Sequence, residues 1–498
     1  MSRRLVLAVL VFAVLTGLLM QGLGDASGKD PVIARDGFVP ASEGPLVGVP
    51  YVWQEINGFC NWAATSVLLQ YEGIPLSMHD LFAAAGVGFS TAYIRYNDTM
   101  LLYPGALYSQ IYPVDFVCRV YGLNYSVYFS AEVEGIEEQI EVLRHRGIYA
   151  GLLNGQTDAF SLMRSAIDSG HGLLISVDPL WLPASDYDYL RNLGISGGGH
   201  AVVIVGYNDT AGKATIIDPG VGSFGMNFGY PYDGRGNYTE IAYTSLNTAW
   251  FNRYYISILI KKQTVPSAQP GELLGPYMRD MLLGVGTVYA PDSPSAYLWK
   301  FGYSAYRELA NDLTSAGLKE YLQVFDGMPD EVKFKASLLF FIGIGVESQV
   351  SLQYLAYRSC LNSVPTLLTG RNTTAFIAAA NKALPHFAAV SSNSSLIHPG
   401  NLSVVDGPII SLFRTLASVY NTTGDLDGAL IQYSNQLSEL NSHLSCIAES
   451  WREAGLCLAE IWPSDPLVVY GPLLVVAGAA VGVVVVVVII YIIRKPSQ

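Results

Sequence analysis

Charge is scarce in this chain. Of 498 residues only 14% are charged, and Asp and Glu (41) outnumber Lys and Arg (28), for a net charge of −13. A basic nucleic-acid footprint is therefore excluded, and so is the charge density of a disordered chain. Histidine is also rare, at seven. Apart from His200, none of them (His79, His145, His171, His386, His398, His443) stands at metal-ligand spacing from Cys, His or a carboxylate, so no metal site is expected. The glycines at 197–199 lack the strand, Lys and helix of a phosphate loop, and no cofactor is expected. No fixed-period repeat is present. There are five cysteines, an odd number that leaves one thiol unpaired in an oxidising compartment. Cys446 and Cys457, if they share a helix, lie about 16 Å apart and beyond disulfide reach. That favours Cys360 as a partner for one of them. A bridge between Cys60 and Cys118 is the structural reading of Cys60.

What the chain has in quantity is apolar residues, 51% of the total, enough to bury the cores of two domains. Two apolar runs stand out. Arg3 and Arg4 precede a run from Leu5 to Met20 with small residues at Gly24–Ser27, the pattern of a signal peptide over residues 1–26. Residues 467–493 carry no charge, and the 473–493 stretch spans about 31 Å as a helix, one bilayer core. Arg494 and Lys495 follow, which places the tail 494–498 in the cytoplasm and the body outside. Asn-x-Ser/Thr sequons begin at Asn97, Asn124, Asn208, Asn237, Asn372, Asn393, Asn401 and Asn421, all between the two apolar ends, as expected of a glycosylated exported protein.

Residues 45–262 alternate short strand and helix signals and hold most of the glycines. Residues 263–271, with Pro266, Pro270 and Gly271, read as a linker. From 272 to 465 helical periodicity takes over, with helices expected over Ala296–Ala310 and Val332–Tyr357. A 3-4 spacing runs from Leu430 through Leu437, Leu444 and Trp451 to Leu458. A bundle helix is the favoured reading of that last stretch; contact with another surface protein is the alternative.

Two stretches carry chemistry. In the first, Asn57-Gly58 signals a turn, and Trp62, Ala63, Ser66, Val67 and Gln70 recur at helical spacing until Gly73 and Pro75. Cys60 thus sits at a helix N-terminus, where unpaired N–H groups favour a thiolate. Its own N–H and the side-chain amide of Gln54 are candidate donors to an oxyanion. In the second, β-rich runs on both sides of Asn208–Gly212 read as a hairpin. A pairing centre near residue 209 sets His200 opposite Asp218, where a carboxylate orients an imidazole. The glycines before His200 leave an open approach. His200 follows Cys60 by about 140 residues, in papain-like order. The tyrosines Tyr93, Tyr96, Tyr103 and Tyr108 are either the lining of a peptide groove or, the favoured reading, core.

Gln54…Cys60 before a helix, Gly172–Asp178, Gly199-His200 with Gly206-Tyr207, and Ile217-Asp218-Pro219 together resemble the bacteriocin-leader-processing cysteine peptidases and their stand-alone relatives, over about residues 47–260. The resemblance implies an α+β papain-like fold with Cys60 as nucleophile, His200 as general acid/base, Asp218 as orienting carboxylate and Gln54 in the oxyanion hole. It implies a peptide or protein substrate. Phe59 and Asn61-Trp62 depart from the family's pattern around the nucleophile, and no transporter follows, so cleavage of double-glycine leaders is not implied. A papain-like domain followed by helices resembles, more weakly, the acyltransferases of butirosin biosynthesis, whose carrier-protein substrates are cytoplasmic. The expected architecture is therefore a papain-like α+β domain, a linker, an all-α bundle and one C-terminal span, working as an extracytoplasmic membrane-anchored cysteine peptidase. The rivals are a catalytically silent binding protein and an acyl or peptidyl transferase.

Overall fold

Apolar residues on both sides of a strand require cover on both faces of its sheet, and the central strands of this protein read that way. The computed structural model describes residues 44–55, 58–96, 99–104, 113–145, 147–194, 196, 198–222, 234–263, 269–285, 298–392 and 407–463. The first half runs β1 (Gly44–Pro45), α1 (Cys60–Tyr71), α2 (Met78–Ala84), β2 (Thr91–Tyr96), β3 (Thr99–Pro104), α3 (Pro113–Val120), β4 (Leu123–Ser130), α4 (Ile136–His145), β5 (Tyr149–Leu153), α5 (Gln156–Asp168), β6 (Leu173–Val177), α6 (Asp188–Leu193), β7 (His200–Asn208), β8 (Lys213–Ile217), β9 (Thr239–Ala242), α7 (Tyr243–Phe251) and β10 (Ser257–Lys262). Beyond it come α8 (Pro270–Leu283), β11 (Leu298–Phe301), α9 (Tyr303–Asp312), α10 (Ser315–Gln323), α11 (Glu331–Leu367), α12 (Thr374–Asn381), α13 (Leu384–Val390), α14 (Pro408–Thr423), α15 (Leu426–Gln432) and α16 (Ser434–Ile461). The expected signal peptide and C-terminal span lie outside the described residues.

An eight-stranded sheet of order β5-β4-β10-β6-β7-β8-β9, with β1 added on β7, organises the first half. Among the described residues of this sheet, only β4 and β5 pair in parallel; the other pairings are antiparallel. On β7, Ala201, Val203 and Val205 face the core built around α1, while Val202 and Ile204 face a second core that holds α5 and α7. This is the period-2 alternation of a strand covered on both sides. The anticipated hairpin is β7–β8, but its turn spans Asp209–Gly212, so Asn208 faces Lys213 and Val203 faces Ile217, with a bulge after Ile204. The register is thus shifted from the one centred on residue 209. Beside the turn the partners are displaced by three positions, and the bulge reduces this to two, so beyond it the same side chains keep the same face.

The second half is helical but is not a separate body. The helix expected over 296–310 begins only at Tyr303; Leu298–Phe301 is instead a strand paired with β2, which completes a three-stranded sheet with β3. Helix α11, 37 residues long, packs against α2, β3 and α14. It is long and apolar enough to cross a membrane, yet 67% of its apolar window is buried inside the protein. Gln353 on α11 donates to the carbonyls of Val87 (3.0 Å) and Gly88 (2.8 Å). Tyr93 is fully buried and donates to Asp312 at 2.6 Å, a core role rather than a groove. One continuous apolar core therefore runs from α1 through α11 to Trp451 and Leu458 on α16, and α16 is a bundle helix packed on α8, α9 and α12.

All five cysteines are free. The bridge expected between Cys360 and Cys446 or Cys457 is not formed: Cys360 on α11 is fully buried against Gly88, whereas the other two are partly exposed on α16.

Candidate active site

Helix α1 begins at Cys60 itself. Gly58 at φ +104° makes the turn that delivers it, and Gly73 at φ +87° ends it, conformations that suit glycine. Phe59 supplies no side-chain cap, so the first N–H groups of the helix are left for whatever sits at Cys60. The helix is buried almost all round, from Trp62 to Leu69, and this fixes the sulfur in space.

His200 opens β7, where it pairs with Val177 at the end of β6. Asp218 follows the last residue of β8. His200 Nε2 and Asp218 Oδ1 are 2.7 Å apart, and both residues are buried. With Nε2 engaged by the carboxylate, the other ring nitrogen is left for the thiol, and Cys60 is hydrogen-bonded to this imidazole. Gly220 N–H donates to Asp218 Oδ1 at 2.9 Å, the side-chain-to-backbone turn that an Asp-Pro-Gly sequence favours. Gly220 has to lack a side chain, since a Cβ there would lie 2.6 Å from the His200 ring.

The segment carrying Gln54 is tied to the same loop. Gln54 N–H donates to Pro219 O (3.0 Å), Trp53 Nε1 to Val221 O (3.0 Å) and Tyr51 Oη to Asp218 O (3.3 Å). Gln54 is 1% exposed. The next residue, Glu55, takes the uncommon φ of +61° and pairs with His79 on α2 at 2.9 Å. A side chain on Gly58 would touch Leu352 of α11. The helical half thus buttresses the loop that leads into Cys60.

Electrostatics pair the sulfur with the ring. Burial alone would raise the Cys60 thiol; the hydrogen bond and charge of His200, with backbone contacts to Ala201 and Asn61, outweigh it and bring the thiol below its ordinary value. For His200, burial opposes the charge, but Asp218 and then Cys60 push the imidazole up to about 10. The two opposite shifts favour a thiolate beside an imidazolium, a pair able to attack a carbonyl carbon and to return a proton to a leaving group. Cys60 is half-buried rather than sealed.

Two neighbours escaped the sequence reading. Tyr187 Oη lies 3.1 Å from each oxygen of Asp218 and 3.2 Å from His200 Nε2. Arg253 is buried with its guanidinium against Gly199, where a Cβ would come within 3.0 Å of Nη2. Gly199 therefore makes room for a cation rather than for an open approach. Nothing in their spacing from Cys60 or His200 marks either residue. The expectation that no other histidine has a carboxylate or histidine at ligand spacing is corrected for His145 and His443, which have Glu141 (3.4 Å) and Glu439 (4.0 Å) four positions away, and three further contacts form: His79 with Glu55, His171 with Glu72 (2.7 Å), and His386 with His443 (3.0 Å). Each of these three joins positions far apart in sequence, which spacing alone does not reveal. Among the described residues no three His, Cys, Asp or Glu side chains converge as a metal site would require.

The model of the Peptidase_C39 like family matches residues 46–247. No curated protein matches the chain.

Proposed function

Taking residues 46–247 as a papain-like cysteine peptidase domain resembling the bacteriocin-processing peptidases, we propose that the protein hydrolyses peptide bonds with Cys60 as nucleophile. The observation that carries this is the continuous contact from the Cys60 sulfur through His200 to Asp218. In this reading the thiolate attacks the scissile carbonyl carbon. The resulting oxyanion is held by Cys60 N–H and the Gln54 amide. The His200 imidazolium gives its proton to the leaving amine as the C–N bond breaks, leaving a thioester. Neutral His200 then takes a proton from water, whose oxygen adds to the thioester carbonyl; the acid product leaves and thiolate and imidazolium are restored. Asp218 holds the ring and stabilises its charged form. The free state of Cys60 favours this chemistry over a silent binding protein with that cysteine in a disulfide.

The proposal extends to placement: a signal peptide over 1–26, a peptidase segment over 45–262, a helical region over 272–465, a membrane span over 467–493, and the body outside the cell. The charge-free run before Arg494 and Lys495 supports it. Among the described sequons, Asn124, Asn208, Asn237, Asn372 and Asn421 are all exposed, as glycosylation demands. The test of the chemistry is a thiol-directed electrophile, followed by a peptide-library cleavage screen. Wild type labels at Cys60 and cleaves, and Cys60→Ala does neither; equal cleavage by both would overturn the assignment. For placement, a membrane-impermeant lysine reagent applied to intact cells modifies the body and spares Lys495.

A further inference from the structure

The Asp218 carboxylate has more donors than one imidazole needs. His200 Nε2 and Gly220 N–H both hold Oδ1, at 2.7 and 2.9 Å. Tyr187 Oη reaches Oδ1 and also Oδ2, both at 3.1 Å. The hydroxyl has a single proton and is fully buried beside a carboxylate whose charge keeps it protonated, so it donates to Asp218. Its place is held firmly. The preceding residue, Asp186, is also buried, accepts from Gly222 N–H at 2.9 Å and pairs with Arg235 at 2.7 Å. The turn Ser185–Tyr187 is thus clamped to the loop 218–222 at two points.

Resting on the peptidase reading, we propose that Tyr187 is a positioning residue that takes up part of the Asp218 charge through its hydroxyl and so limits how tightly the His200–Asp218 pair holds its proton. A hydrogen bond to an anion stabilises it. Without this one, the state with neutral His200 and a bare, buried carboxylate is the less favourable, and the ring keeps its proton to higher pH. A ring that grips its proton too hard is a poor acid toward the leaving amine, since proton transfer works best between matched partners. Tyr187 thereby sets the acid strength of a group it does not replace.

The test uses the pH profile of Cys60 alkylation by iodoacetate in the full chain. An anionic reagent favours thiolate next to imidazolium, so the rate rises as the thiol ionises and falls as His200 is deprotonated. In Tyr187→Phe, which keeps the ring packed against His200, the falling limb moves up by about half a unit or more. In an Asp218→Asn background the same change moves nothing, because the path through the carboxylate is gone. Difluorotyrosine at position 187, a stronger donor of nearly the same shape, moves the limb down and keeps the question answerable if the Phe variant does not fold. A bell-shaped wild-type profile whose falling limb is the same in the substituted chains overturns the role of Tyr187. A wild type with no bell at all overturns the thiolate–imidazolium reading itself.

Discussion

Cys60 and Cys457 are both free, half-buried thiols on helices, yet they are driven in opposite directions. Cys60 is the first residue of α1, where the helix end is electropositive and His200 stands beside it. Cys457 lies in the last turns of α16; burial raises its thiol, and Glu460 and Glu453 raise it further, against a smaller opposing effect of Lys382. Access to solvent therefore does not distinguish the two. The sign of the charge around each sulfur does, and only one of them meets an imidazole backed by a carboxylate.

The bluntest way to break this contrast is to remove the favoured sulfur. Cys60→Ala abolishes peptide cleavage, by on the order of 10^5-fold in kcat, whereas Cys457→Ala leaves kcat unchanged; steady-state assays on a cleavable peptide read both. Asp218→Asn keeps Cys60 but deprives His200 of its anion, and kcat falls about 10^2- to 10^4-fold with KM little altered. The contrast in ionisation is read by iodoacetamide labelling and mass spectrometry across pH. Cys60 reacts below the ordinary thiol range, and its imidazolium partner persists to about pH 10, whereas Cys457 reacts appreciably only above that ordinary range. At pH 7 the rates differ by about tenfold or more. The smallest change sharpens the other side: Glu453→Gln with Glu460→Gln lowers the Cys457 thiol and speeds its labelling about two- to threefold, with Cys60 unaffected.

These differences were partly legible from the chain alone. Cys60 was placed at a helix start by the Asn-Gly turn and the apolar spacing after it, and His200 with Asp218 by a hairpin whose ends had to meet. The four-residue turn, Asp209–Gly212, displaces the register by an odd step, and the bulge after Ile204 makes the displacement even, so His200 and Asp218 still meet on one face. Tyr187 was invisible because it comes from a short turn stabilised by Asp186 and Arg235, and no periodicity points to it. Strand β11 lies where the local pattern predicts the start of a helix. Its pairing with β2 joins residues some two hundred positions apart, and such a partner cannot be read from local pattern. The expected disulfide failed for a similar reason: sequence does not say that Cys360 faces Gly88 across a buried helix surface.

That late strand has a consequence for how the molecule responds to being cut. Residues 298–301 lie beyond the stretch 264–268 but are stitched by backbone hydrogen bonds to residues 92–95, and α11 is wedged against α2. A single nick between 263 and 269 leaves two fragments gripping each other through a shared interior, and they co-migrate on native gel filtration until denaturant is added. A recombinant piece ending at 262 bares the β2 edge that β11 covers in the whole chain, and it precipitates.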